Sequence, residues 1–183
     1  MGWFYTLGIN FNDRELAEVC NQKIMNFEIK LSDNTIVEIA TYIYEEKLID
    51  GISRYQSQIL PKGLEYGLGN RKLLSKPYFY EIRNKIYSFL IELDIEFNYA
   101  FYEFEGADTF LDENIIEYLN EVGIGEVKKD KNASSMLNFD EDYYLPKRYF
   151  DGLIISEKLF NLLENKSNFE VFKEKYMWLP LNE

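Results

Sequence analysis

Trp3, Tyr5, Leu7, Ile9 and Phe11 recur at every second position in the stretch WFYTLGINF. That spacing puts all five on one side of an extended chain and predicts a strand with one buried face. Leu16, Val19, Cys20, Ile24 and Phe27 then recur at helical spacing, and Asn12 with Glu15 is placed to open that helix. A strand that passes directly into an amphipathic helix buries both apolar faces only if the two pack in layers. Cys20 lies on the apolar stripe and reads as core rather than as a nucleophile.

The same two periods continue along the chain. FEIKL and TIVEIATYIY flank the turn-forming cluster SDN and predict a hairpin. Ser75 and Pro77 suit a helix start, with Phe79, Ile82, Ile86, Phe89, Leu90 and Leu93 as its buried stripe. Ile95, Phe97, Tyr99 and Phe101 alternate as a strand, and the alternation breaks at Glu103 and Phe104, which predicts a bulge or the end of the strand. Asp112 opens a further helix through Ile115, Ile116, Leu119 and Val122, which Gly123 ends. The order predicts an α+β fold with a ferredoxin-like βαββαβ sheet core, an added helix and a C-terminal βαβ segment. One domain over residues 1–183 is expected, with long irregular connections at about 46–76 and 124–148. The first of these carries Gly63, Gly67 and Gly69 beside Lys62, Arg71, Lys72 and Lys76. No Gly-Lys-Ser/Thr follows, so it reads as a surface loop whose bases pair with carboxylates elsewhere, not as a phosphate cradle.

Composition narrows the chemistry. Hydrophobic content of 46% and aromatic content of 17% supply a packed core for 183 residues. No apolar run reaches membrane-spanning length, and no basic stretch leads into an apolar one, so neither a membrane span nor a secretory signal is expected. MGWFYT matches a loose myristoylation pattern, but its alternating aromatics already account for it as a strand. The chain has no histidine and one cysteine, which removes Ser-His and Cys-His nucleophile pairs, His-ligated zinc and internal disulfides. A cytoplasmic protein without cofactor or metal is the expectation.

Charge is distributed unevenly. The net charge is −12, from 20 basic and 32 acidic residues. Between residues 86 and 126 there is no lysine or arginine, while Glu92, Asp94, Glu96, Glu103, Glu105, Asp108, Asp112, Glu113, Glu117, Glu121 and Glu126 all fall there. The flanking stretches are close to neutral. Such a segment repels nucleic acid and anionic lipid and attracts basic protein. Glu113, Glu117 and Glu121 repeat every fourth residue on the expected helix, where like charges repel by roughly 0.2–0.5 kcal/mol per pair. A solvated face in an acidic protein is the plain explanation; a surface that meets positive charge is the sharper one.

On the sharper reading the partner-binding residues are Tyr102, Glu103, Glu105, Asp108, Glu113 and Glu117. Asp140, Glu141, Asp142, Tyr143 and Tyr144 form a second patch of the same character. Two other classes stay open. One is a DNA mimic whose carboxylates occupy a DNA-binding protein. The other is an enzyme working through carboxylates and tyrosine. Glu28-Ile29-Lys30 and Glu126-Val127-Lys128 fit half of a metal-dependent nuclease pattern, but neither has an upstream aspartate on a neighbouring strand. Asp140-Glu141-Asp142 lacks the alternation and glycine of a calcium loop.

The closing YFDGLIISEKLFNLLENKSNFEVF resembles the tail of small bacterial immunity proteins that neutralise polymorphic or contact-dependent toxins. In those tails an apolar strand enters a serine-capped helix and then a further strand. The resemblance implies an acidic, cytoplasmic, non-catalytic protein that binds one cognate toxin, and leaves the oligomeric state open.

Overall fold

The computed structural model describes residues 5–47, 53–64, 73, 76–104, 153–167 and 169–179. Strand β1 (Tyr5–Phe11) leads into helix α1 (Arg14–Met25). The helix is capped by Asp13, whose side chain accepts from the Glu15 amide at 2.8 Å. Asn12, the expected opener, instead exchanges hydrogen bonds with Asn98, because one more extended residue is needed before the chain turns. Ala17, Cys20 and Ile24 are buried on the helix, whereas Leu16, expected in the stripe, is 37% exposed at its edge.

The SDN turn forms as expected. Asn34 adopts a left-handed φ of 68°, and Asp33 accepts from the Thr35 amide at 2.9 Å. Its arms β2 (Ile29–Lys30) and β3 (Ile36–Val37) pair only with each other, in a separate two-stranded sheet. The chain then enters β4 (Ile39–Lys47) and β5 (Ser53–Pro61), which pair along nine consecutive positions. This corrects two expectations. The first hairpin arm is not a strand of the main sheet, and part of the supposed irregular stretch 46–76 is an inner strand of it, between β4 and β1. Gln56 and Ser57 are fully buried there, one on each face of the sheet, and a buried polar residue on either face conceals the strand from any apolar pattern.

Helix α2 (Lys76–Glu92) buries the whole expected stripe from Phe79 to Leu93. It is tied to the small hairpin by Glu81, which accepts from both the amide and the hydroxyl of Ser32, and by a Tyr78 hydroxyl bond to Asp33. Strand β6 (Tyr99–Phe104) pairs with β1 as far as Tyr5 opposite Phe104. Of the two readings of the broken alternation there, a bulge or the end of the strand, the register excludes the bulge, and the strand's last residue is Phe104. The tail forms β7 (Leu153–Ser156), a short helix α3 (Glu157–Phe160) capped by Ser156 as expected, then β8 (Glu170–Lys173) and β9 (Tyr176–Leu179). It has one strand more than the pattern gave. The expected helix at 112–123 and the connection at 124–148 lie outside the described residues.

Among the described residues, seven strands make one antiparallel sheet in the order β4-β5-β1-β6-β7-β9-β8. The fold is thus mixed α+β, with helices on a large antiparallel sheet. On one face Leu7, Ile9, Phe11 and Ile59 pack under α1 and α2. On the other, Tyr99, Phe101, Leu153 and Ile155 pack with Leu163, Leu159, Phe160 and Phe169. Gly8 sits between these demands. A β-carbon there would lie 2.6 Å from Gln56 Nε2 and 2.8 Å from Phe101 Cζ, so the missing side chain is what lets both cross β1.

Candidate functional site

The acidic segment begins on α2 and leaves the described fold at the end of β6. Its root is braced by the C-terminal hairpin. α2 has no basic residue in its last turn, so its terminal carbonyls lack a partner from their own helix. Lys173 of β8 supplies one: its Nζ donates to the carbonyls of Leu90 at 2.8 Å and Leu93 at 2.6 Å. The ammonium also lies 5.4 Å from the Phe97 ring centroid and 5.0 Å from that of Tyr176. Burial lowers the Lys173 pKa and nearby Asp94 raises it, with burial the larger influence. Phe97 and Tyr176 stack with centroids 4.2 Å apart, and Tyr87, Phe172 and Trp178 close a second aromatic cluster between hairpin and helix.

Around this brace the first acids of the segment are exposed. Asp94 pairs with Lys23 at 2.8 Å, and Glu96 pairs with Lys175 at 3.9 Å while remaining 87% exposed at its side chain. The Lys23 hydrogen bond and charge hold the Asp94 carboxyl below its usual range. Such exposed pairs contribute little stability. They do show that two described members of the base-free stretch borrow cations from elsewhere in the chain. Asp94 and Glu96 are thus partly offset within the fold, and Glu92 stands exposed on the last turn of α2.

Of the sequence-derived contact residues, Tyr102 and Glu103 lie on β6, in register with Leu7 and Thr6. Glu105, Asp108, Glu113, Glu117, Asp140, Glu141, Asp142, Tyr143 and Tyr144 lie outside the described residues. Arg71 and Lys72 lie there too. Lys62, from the basic cluster, does find a carboxylate, bonding Glu38 at 2.7 Å.

A polar group that the sequence reading missed sits on the sheet. Asn98 donates from its side-chain amide to Asn10 Oδ1 and Asn12 Oδ1, both at 2.8 Å. Its backbone accepts from Ser156 and donates to Asn10, so one residue ties β1, β6 and β7 together. Asn10 is fully buried, and its Nδ2 has no hydrogen-bond partner among the described residues. Thr6 and Gln56 are also buried, and Tyr42 and Tyr44 stand exposed on β4 in register with Gln58 and Gln56. The signal was present in the sequence as the second face of β1, where Thr6, Gly8 and Asn10 alternate with the apolar residues.

Neutral amides and hydroxyls bind by hydrogen bonding and do not move protons near neutral pH. Among the described residues no three of Cys, Asp or Glu come together as a metal site, and no carboxylate is buried. Glu28 and Lys30 are exposed beside the small hairpin. Cys20 is buried, and desolvation pushes its thiol up to about 12, in line with a core role. Among the described residues no helix is long and apolar enough to cross a membrane.

Comparison with protein-family models, curated proteins and solved structures returns no match to this chain.

Proposed function

We propose that the protein is a non-catalytic, cytoplasmic binding protein that neutralises a basic protein, as an immunity protein does with its bacterial toxin. The observation that carries this reading is the base-free acidic stretch from residue 86 to 126 within a chain of net charge −12. Complementary charge steers encounter and is screened by salt, while desolvated aromatics among the carboxylates set the dissociation rate. The closing segment, which carries the resemblance to immunity proteins, has the strand and serine-capped helix that the resemblance implies.

The core is read as ferredoxin-like with an extension. Strands β4-β5-β1-β6 are antiparallel neighbours in that order, and α1 and α2 share the core beneath β1. That arrangement supports a split β-α-β sheet, to which the C-terminal strands are added.

The test is co-expression with the basic effector domain that the protein captures. Expected are rescue of growth, a one-to-one complex, and weaker rescue with slower association on reversing Glu113 and Glu117 to lysine. Rescue undiminished by the reversal would remove these residues from the interface. A partner displaced by duplex DNA would favour the DNA-mimic reading.

A further inference from the structure

The two ends of the main sheet are built differently. β8 is short, its register with β9 is irregular between Val171 and Lys173, and Lys173 turns inward to α2. Those are the devices by which proteins keep an edge from pairing with another chain. β4 has none of them. Its nine residues pair with β5 without a register shift, it contains no proline, and its only lysine is the last residue. Among the described residues its outer side pairs with no strand. Tyr42 is 57% exposed and Tyr44 45% exposed, while Ile43 between them is half-buried.

We propose that β4 is a homodimer edge, pairing antiparallel with β4 of a second copy about a twofold axis at Ile43. This register uses every residue of both strands. It sets Tyr42 against Tyr44 of the second copy, twice, and Ile43 against itself. Glu45, Glu46 and Lys47 fall opposite Thr41, Ala40 and Ile39, so no like charges meet directly. The edge does not suit a basic strand equally well. The charged residues of β4 are Glu45, Glu46 and Lys47, and Glu45 already pairs with Arg14 at 3.6 Å and accepts from Ser53, so the edge is not the acidic strip that would select a basic strand.

The test is the molecular mass by light scattering and sedimentation, over rising concentration and at low and high salt. The mass is expected to move from 21.8 kDa towards twice that value. Salt is expected to strengthen the dimer, because each copy carries −12 and screening weakens their repulsion. Tyr42→Lys with Tyr44→Lys opposes lysines across the axis and is expected to give a monomer. Tyr42→Lys with Tyr44→Glu opposes lysine to glutamate and is expected to restore the dimer. Circular dichroism and the unfolding midpoint establish that both variants fold. A wild-type protein that stays monomeric throughout would overturn the proposal, as would failure of the charge-swapped pair to recover the dimer. Pairing seen only with a basic protein, and weakened by salt, would assign the edge to that partner and overturn it equally.

Discussion

Phe97 and Tyr176 are joined through both polar groups of one peptide residue: the Tyr176 hydroxyl accepts from the Phe97 amide at 2.9 Å and donates to its carbonyl at 3.2 Å. Both residues are buried, so neither backbone group has water as a substitute. Tyr176→Phe keeps the stacked ring and deletes only the hydroxyl. It is expected to lower stability by about 1–3 kcal/mol, the cost of leaving buried donors and acceptors unpaired. Urea denaturation with an unchanged slope checks it.

Lys173 neutralises the carbonyl end of a helix that has no cation of its own in its last turn. Lys173→Met retains much of the aliphatic stem and removes the donor. A loss of about 1–2 kcal/mol is expected, within the range for charged hydrogen bonds and helix-terminus interactions at partly exposed sites. Hydrogen exchange should show the loss first in the last turn of α2. Uniform loosening across the sheet would contradict this local role.

Gly8→Ala tests the crossing of Gln56 and Phe101 over β1. The added carbon meets both side chains inside contact distance, and an overpacking cost of about 1–3 kcal/mol is expected. Gln56→Ala in the same chain clears one of the two obstacles. The double variant should therefore fall short of the sum of the single losses. Strict additivity in thermal unfolding would show that Gln56 is not the obstacle.

Cys20 couples stability to alkaline pH. Its thiol rises from an ordinary value of 9.0 to about 12 in the fold, chiefly through burial, with Ser57 and Lys23 opposing. The folded state therefore keeps a proton that the unfolded state releases above pH 9. The contribution is whole below pH 9 and is lost progressively as pH rises towards 12. Cys20→Ala is expected to be less stable than the parent at pH 8, with the difference narrowing through that window. Native protein should also resist thiol reagents at pH 8 and react once urea unfolds it.

What the sequence revealed follows from where periodicity is undisturbed. The α2 stripe from Phe79 to Leu93 and the β1 alternation were legible because one side of each element is apolar throughout. β5 was not, because Gln56 and Ser57 are buried on opposite faces of the sheet, and Ser57 is satisfied by a hydrogen bond to Asn21, a contact between positions 36 residues apart. The strand assignment of the first hairpin arm failed for a related reason. Ile29 is buried, as a sheet residue would be, but beneath α2 in a sheet of its own. The brace by Lys173 and Tyr176 joins residues about eighty positions apart and leaves no local pattern. Of the partner-binding set, the sequence supplies the charge. The described fold supplies only where Tyr102 and Glu103 sit and where the segment is rooted.

The rate at which the protein associates with the basic partner it captures, measured by stopped flow from low to high salt, tests the central claim most directly. For electrostatic steering the rate is expected to fall by about 10- to 1,000-fold across the series. In the Glu113→Lys, Glu117→Lys variant it should start lower and fall less. Rates that are flat with salt, and equal in parent and variant, would contradict the claim.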